Sequence, residues 1–248
     1  FMGRSGIVNI ERESRMSVND FTVVIVDEKA KTNVDGQLMV ISGAGRERIN
    51  SRDDDFLDYW CEFANKHEIF IVPGLYIEDN YLCLCLIGHR GEIIGMQKAC
   101  HINKENFPEL KRDSNINIIE TPFARIFLCV DVDIYKPEVI RAAVFSGAEI
   151  IVSVQYIQRD RYNESMVLAG AWQNAQQNCV YIINAHNFGG DIIGPCETSE
   201  DLSGFIKRMD RQSDFIFANL SGKARDRAYD SFPIFKTLNT ALYGKAFK

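Results

Sequence analysis

The chain has 248 residues, 46% of them apolar and 25% charged, which excludes a disordered segment, a coiled coil and a collagen-like fibre. A chain of this length can bury roughly 70–75% of its unfolded surface, so its core needs no staples. The net charge of −6 argues against nucleic acid or an anionic membrane as partner, because both ask for a basic footprint.

No apolar stretch is long enough to span a membrane, and no signal peptide opens the chain. Met2 stands behind Phe1, which points to a residue added ahead of the start or to an incomplete start. The seven cysteines lie mostly in apolar runs such as YLCLCLI and IFLCVDV, without a CxxC pair at zinc spacing. They read as reduced, buried thiols of a cytoplasmic protein.

In chain order, FTVVIVDE (21–28) is a β-branched run and predicts a strand. QLMVIS (37–42) is a second apolar run of open type. Between Asp53 and His67, apolar residues at Phe56, Leu57, Trp60, Phe63 and Ala64 follow helical spacing. IFIVPG (69–74) predicts a strand stopped by Pro-Gly. YLCLCLIG (81–88), HRGE and EIIGMQKACHI (92–102) predict a hairpin. ARIFLCVDV (124–132) reads as a central strand, and KPEVIRAAVFSGA (136–148) as a helix with Pro near its start and Gly near its end. EIIVSVQ (149–155) predicts a strand, ESMVLAGAWQNAQQN (164–178) a helix, and CVYIINA (179–185) and DFIFANL (214–220) further strands. SFPIFKTLNTALYGK (231–245) is a mixed tail. Strands alternating with helices, together with hairpins, make an α/β protein with a mixed sheet or two sheets. Even punctuation, without repeats or a linker, predicts a single domain over 1–248, irregular or incomplete over 1–20.

Several segments in fixed order resemble the carbon–nitrogen hydrolase (nitrilase) superfamily, whose members use a Glu, a Lys and a Cys on successive strand ends to hydrolyse amides or nitriles. IFLCVDVDIYKPEVIRAAVFSGAEIIV (126–152) is similar to the segment that carries the nucleophile, with Pro137-Glu138 and Gly147-Ala148-Glu149 fixing the register. In that register Asp133 matches the family's Asp, and Asp131 falls where the nucleophilic Cys belongs. Cys129, two residues earlier, is about 7 Å away along a strand. GEIIGMQKACHI (91–102) resembles the Lys segment, with Lys98 as the Lys and His101 one residue later than usual. NFPEL (106–110) offers Glu109 as a further active-site Glu. IVDEK (25–29) offers Glu28 as the catalytic Glu, with VISGA (40–44) as the alternative occupant of that place. NAQQNCVYI (174–182) and DSFPIFKTLNTALY (230–243) resemble downstream family segments, with Asn174 for an Arg and Gln177 for a Glu. Gln155 and Tyr156, at the end of the next strand, complete the expected substrate-binding set.

The resemblance implies a four-layer αββα sandwich, two mixed sheets face to face with helices outside. It also implies a homodimer or higher assembly, with the tail over 228–248 at the interface, and no cofactor. No residue set at ligand spacing predicts a metal. The chemistry turns on residue 131. A Cys thiolate attacks the carbonyl or nitrile carbon, a Glu moves the proton and a Lys stabilises the oxyanion. An Asp in that place would form a reactive anhydride and adds a second carboxylate beside Glu28. Two functions follow: a non-catalytic homologue that binds a small amide or carboxylate, or an active hydrolase of a small linear amide, nitrile or carbamoyl amine. The SGAG stretch (42–45), His186 and the Arg159-Asp160-Arg161 cluster read as ordinary structure.

Overall fold

The computed structural model describes residues 20–27, 36–42, 50–51, 55–209, 213–239 and 241. The first sheet takes β1 (Phe21–Asp27), β2 (Leu38–Ser42), β3 (Asn50–Ser51), β4 (Phe70–Val72), β5 (Tyr76–Glu78), β6 (Tyr81–Ile87), β7 (Ile93–Lys98) and, from far along the chain, β14 (Phe215–Leu220). The second takes β8 (Ile118–Glu120), β9 (Arg125–Val130), β10 (Ile150–Gln155), β11 (Tyr181–His186), β12 (Gly189–Ile193) and β13 (Phe205–Arg208). Their orders are β14-β1-β2-β4-β6-β5-β3, with β7 on β6, and β13-β12-β11-β10-β9-β8. Both sheets are mixed: β1, β2 and β4 run parallel, as do β9, β10 and β11, and antiparallel strands flank them.

The period of two along each strand decides which side chains meet which layer. On β9, Ile126, Leu128 and Val130 turn to the other sheet, where they join Ile25, Val40, Leu84, Val152 and Ile183 in one core. Phe127 and Cys129 turn the other way, onto α2 (Pro137–Phe145) and the helical run over 164–178. On the first sheet, Val24, Ile41, Ile71 and Cys85 pack against Leu57 and Ala64 of α1 (Phe56–His67). The result is the helix–sheet–sheet–helix layering that the family resemblance implies, and the central strands β1, β2, β9, β10 and β11 are too apolar to face water.

The helical run is not uniform. α3 (Glu164–Val167) and α4 (Gln173–Asn178) are joined by a π-turn at Leu168–Trp172. Asn163 caps the start, its side chain accepting from Met166 N at 3.1 Å. Gly170 lies in the π-turn against the Tyr135 ring, where a Cβ would come within 2.8 Å of a ring carbon. α5 (Gly222–Ser231), which the sequence reading leaves unassigned, carries a mostly polar surface and buries Arg225, Ala228 and Tyr229. Residues 228–231 thus complete a helix, and a short 3₁₀ turn follows at Ile234–Thr237. β3, β5, β8, β12 and β13 are also additions, short strands with weak patterns, with β3 and β5 pairing parallel and the others antiparallel to their neighbours.

Candidate functional site: the elbow at the end of β9

The strand expected over 124–132 stops at Val130. Asp131 takes φ = +50°, in the left-handed region, and Asp131–Tyr135 coil into a 3₁₀ turn before α2. Asp tolerates this conformation better than most residues, because its short polar side chain bonds locally. The turn lifts residue 131 off the ladder at the carboxyl end of a parallel strand, where open α/β sheets place ligands. Val130 pairs with Val154 and Gln155 pairs with His186, so residues 131, 155 and 186 form a row across three neighbouring strands.

Asp131 is 1% exposed. Its Oδ1 accepts from Tyr156 N at 2.9 Å, and Oδ2 has no hydrogen-bond partner among the described residues. Burial pushes its carboxyl up to about 7, the amides of Tyr156 and Val132 pull it down, and the like charge of Asp133 adds to the rise. Asp133 has a different task. Its Oδ2 accepts from Cys100 N, and its Oδ1 from His101 N, both at 2.8 Å, with His101 Nδ1 at 2.9 Å. Burial still raises its pKa against these bonds. Asp133 thereby fastens the 99–101 loop to the elbow.

A buried polar chain backs the row. Tyr135 Oη donates to Gln155 Oε1 at 2.6 Å, and Gln155 Nε2 donates to Asn184 Oδ1. Asn174 Nδ2 donates to Ile134 O and Gly170 O, both at 2.9 Å, tying α4 to the 3₁₀ turn. Gln177 is exposed. The thiol of Cys129 is raised by burial and by Asp133, and it faces the helix layer, not the elbow.

The structure does not bring Lys98 to Asp131. Lys98 pairs with Cys83, on the face of β7 that also carries Met96, and Cys83 packs toward α1. The Lys98 ammonium lies 4.3 Å from the centre of the Tyr81 ring. The side chains that turn toward the second sheet are Gln97 and Ala99, both fully buried. Gln97 donates to Lys98 O and Asn115 O and accepts from Asn117 N, so it is spent on structure. Lys98→Met is therefore expected to lower stability by no more than about 1 kcal/mol, the scale of one cation–π contact. Urea titration checks this.

Glu109 is exposed, on a loop whose contacts with the 156–163 segment come from other residues. Gln158 Nε2 donates to Asn106 Oδ1 at 2.5 Å, and Arg161 pairs with Glu105 at 2.6 Å. Glu28 and the SGAG glycines from 43 onward lie outside the described residues. Gln155 and Tyr156 do adjoin Asp131, Gln155 by its place on the neighbouring strand end and Tyr156 through its amide. Tyr135, Asn184 and Asn106 carry no motif, and only their place in the fold gathers them here. Among the described residues no group of His, Cys, Asp and Glu could hold a metal. No helix among them is long and apolar enough to cross a membrane.

No family model matches the chain. N-carbamoylputrescine amidase of Arabidopsis thaliana is 24% identical over 154 residues, 55% of this chain and 52% of that protein. The chain thus aligns with about half the length of this curated relative. Saccharomyces cerevisiae Nit3, a member of branch 10 of the nitrilase superfamily, superposes with a TM-score of 0.75 at 13% identity, covering 92% of this chain and 98% of its own. A carbon–nitrogen hydrolase of Helicobacter pylori gives 0.73 at 14% identity, over 94% and 99%. A Nesterenkonia amidase from the nitrilase superfamily, solved as a cysteine-to-alanine mutant, gives 0.71 at 11% identity, over 94% and 99%. The resemblance carried by the sequence segments is thus matched in three dimensions: the chain has the fold of the nitrilase-superfamily carbon–nitrogen hydrolases.

Proposed function

We propose that this chain is a nitrilase-superfamily homologue whose elbow has lost its hydrolytic chemistry and whose strand-end crevice binds a small amide or carboxylate. The observation that carries this reading is Asp131: a buried carboxyl at positive φ, held by backbone amides, in the place where the family register puts the nucleophilic Cys. A carboxylate attacking an amide would form an anhydride, a poor exchange for a thioester. Among the described residues the expected cation does not reach the elbow either, since Ala99 and not Lys98 turns inward. A homodimer through the helix faces and tail belongs to the same proposal, as does a cytoplasmic location, which cysteines that form no disulfide among the described residues support.

An active amidase is the second reading, favoured by the match to N-carbamoylputrescine amidase. Ammonia release from short amides, nitriles and carbamoyl amines separates the two. The unmodified protein is expected to be silent. Asp131→Cys alone is expected to stay silent too, because it restores a thiol without a facing cation. Turnover in the unmodified protein would establish the second reading instead.

A further inference from the structure

Beyond the elbow, at the ends of β11 and β12, lies a cleft of about 770 Å³. His186 forms its inner end, two strands or roughly 10 Å from Asp131 at ordinary strand spacing. The floor of the cleft is buried, whereas Arg159, Glu164 and Arg208 stand exposed at its rim. His186 is 2% exposed and Asp191 4%. Phe188 N donates to His186 Nδ1 at 3.2 Å, which puts the ring hydrogen on Nε2, and Asp191 Oδ2 lies 3.9 Å from that nitrogen. Asp191 Oδ1 accepts from Arg208 Nε at 3.0 Å. The Arg208 guanidinium also lies 4.5 Å from the centre of the Phe205 ring. Arg208 is thus tied to Asp191 through Nε and to the Phe205 ring, and its terminal amino groups are the ends that a planar anion meets as a fork. A ring wall completes the cleft: Tyr162 and Phe188 stack at 4.6 Å, and Tyr162 lies 5.5 Å from His186.

The charges select among ligands. Asp191 is already compensated by Arg208, and Arg159 adds a further cation to the cleft wall, with no carboxylate within salt-bridge distance among the described residues. Glu164 lines the cleft too and disfavours a second negative group. We propose that this cleft binds a small aromatic monocarboxylate, its carboxylate on Arg208 and its ring against Tyr162 and Phe188. The proposal rests on the ligand-binding part of the reading above and not on the absence of turnover. Ammonia release by the unmodified protein would overturn that reading and leave the cleft standing.

The test is an amide-resolved NMR titration of the whole chain with benzoate as probe, and benzamide and benzylamine as neutral and cationic comparators. Benzoate is expected to bind with Kd near 1 mM, as a small fragment does. It should shift the amides of Phe188, Gly189 and Gly190 more than those of Val132 and Tyr156. Arg208→Gln should weaken it at least tenfold. Arg161→Gln, which removes the same charge from a residue paired with Glu105, should change it less than twofold. Equal binding of benzamide or benzylamine, unchanged affinity in Arg208→Gln, shifts centred on Val132 and Tyr156, or no shifts at all would each overturn the proposal.

Discussion

Asp131→Asn is expected to stabilise the protein above pH 7 by about 4 kcal/mol and to leave it nearly unchanged at pH 4. The folded carboxyl titrates near 7 against 3.8 in an unfolded chain, because burial disfavours its charge. A group whose folded pKa is raised holds its proton in the folded state after the unfolded chain has released it. Its contribution to stability therefore falls as pH rises from about 4 to about 7, and the loss is complete above that. A shift of that size corresponds to about 4 kcal/mol at 1.36 kcal/mol per pKa unit. Asn keeps the acceptor for Tyr156 N and tolerates positive φ, so the variant removes the charge and little else. Asp133, also raised, is present in both proteins, and losing the like charge at 131 eases its ionisation as well, which works in the same direction. Urea unfolding from pH 4 to 8.5 checks the expectation, and two parallel stability curves would refute it. Asp131→Ala should gain less, since it strands the two amides and sits poorly at φ = +50°.

The largest loss is expected at the other end of the second sheet. Glu149, 3% exposed, accepts from Arg125 N at 3.0 Å through Oε2 and faces both Arg125 and Arg225 at 3.5 Å through Oε1. Arg225 is itself 5% exposed and reaches Asp226 at 2.8 Å. Glu149→Gln leaves a buried guanidinium with less compensation and should cost about 3–5 kcal/mol. Arg225→Met should cost less, because Glu149 keeps Arg125. Combining Glu149→Leu with Arg225→Met should recover part of the loss, because an apolar pair of similar volume needs no desolvation of charge. Denaturant midpoints of the set decide this, and equal costs for the single changes and the pair would refute it.

Much of this architecture is legible in the residues. The β-branched runs at 21–28, 124–132 and 149–155 and the apolar spacing of 53–67 each produce the expected element, because burial on one or both faces leaves no other way to pack them. The short strands with glycine or charge in them, GGDII and FIKR, do not announce themselves, since their pairing partners and not their own side chains make them strands. Orientation at Lys98 is the instructive case. A period of two fixes that Lys98 opposes Gln97 and Ala99, but which set turns inward depends on the pairing with β6, irregular between Leu86 and Ile87. The extra residue between Lys98 and His101 is the signal of that change. Asp131 is legible as a departure from a motif, whereas its positive φ and the Tyr135–Gln155–Asn184 chain behind it arise only once three strand ends are side by side.

The pairing of β14 with β1 has a consequence for how the molecule is made. Phe21 is bonded across the ladder to Leu220, so the first strand of the described chain is completed by nearly the last. At translation rates of 5–20 residues per second, on the order of 10–40 s separates the emergence of the two. Throughout that interval β1 offers an apolar, unpaired edge on the ribosome-bound nascent chain, the kind of edge that invites intermolecular strand addition. A polypeptide interrupted before Phe215 would carry that edge permanently.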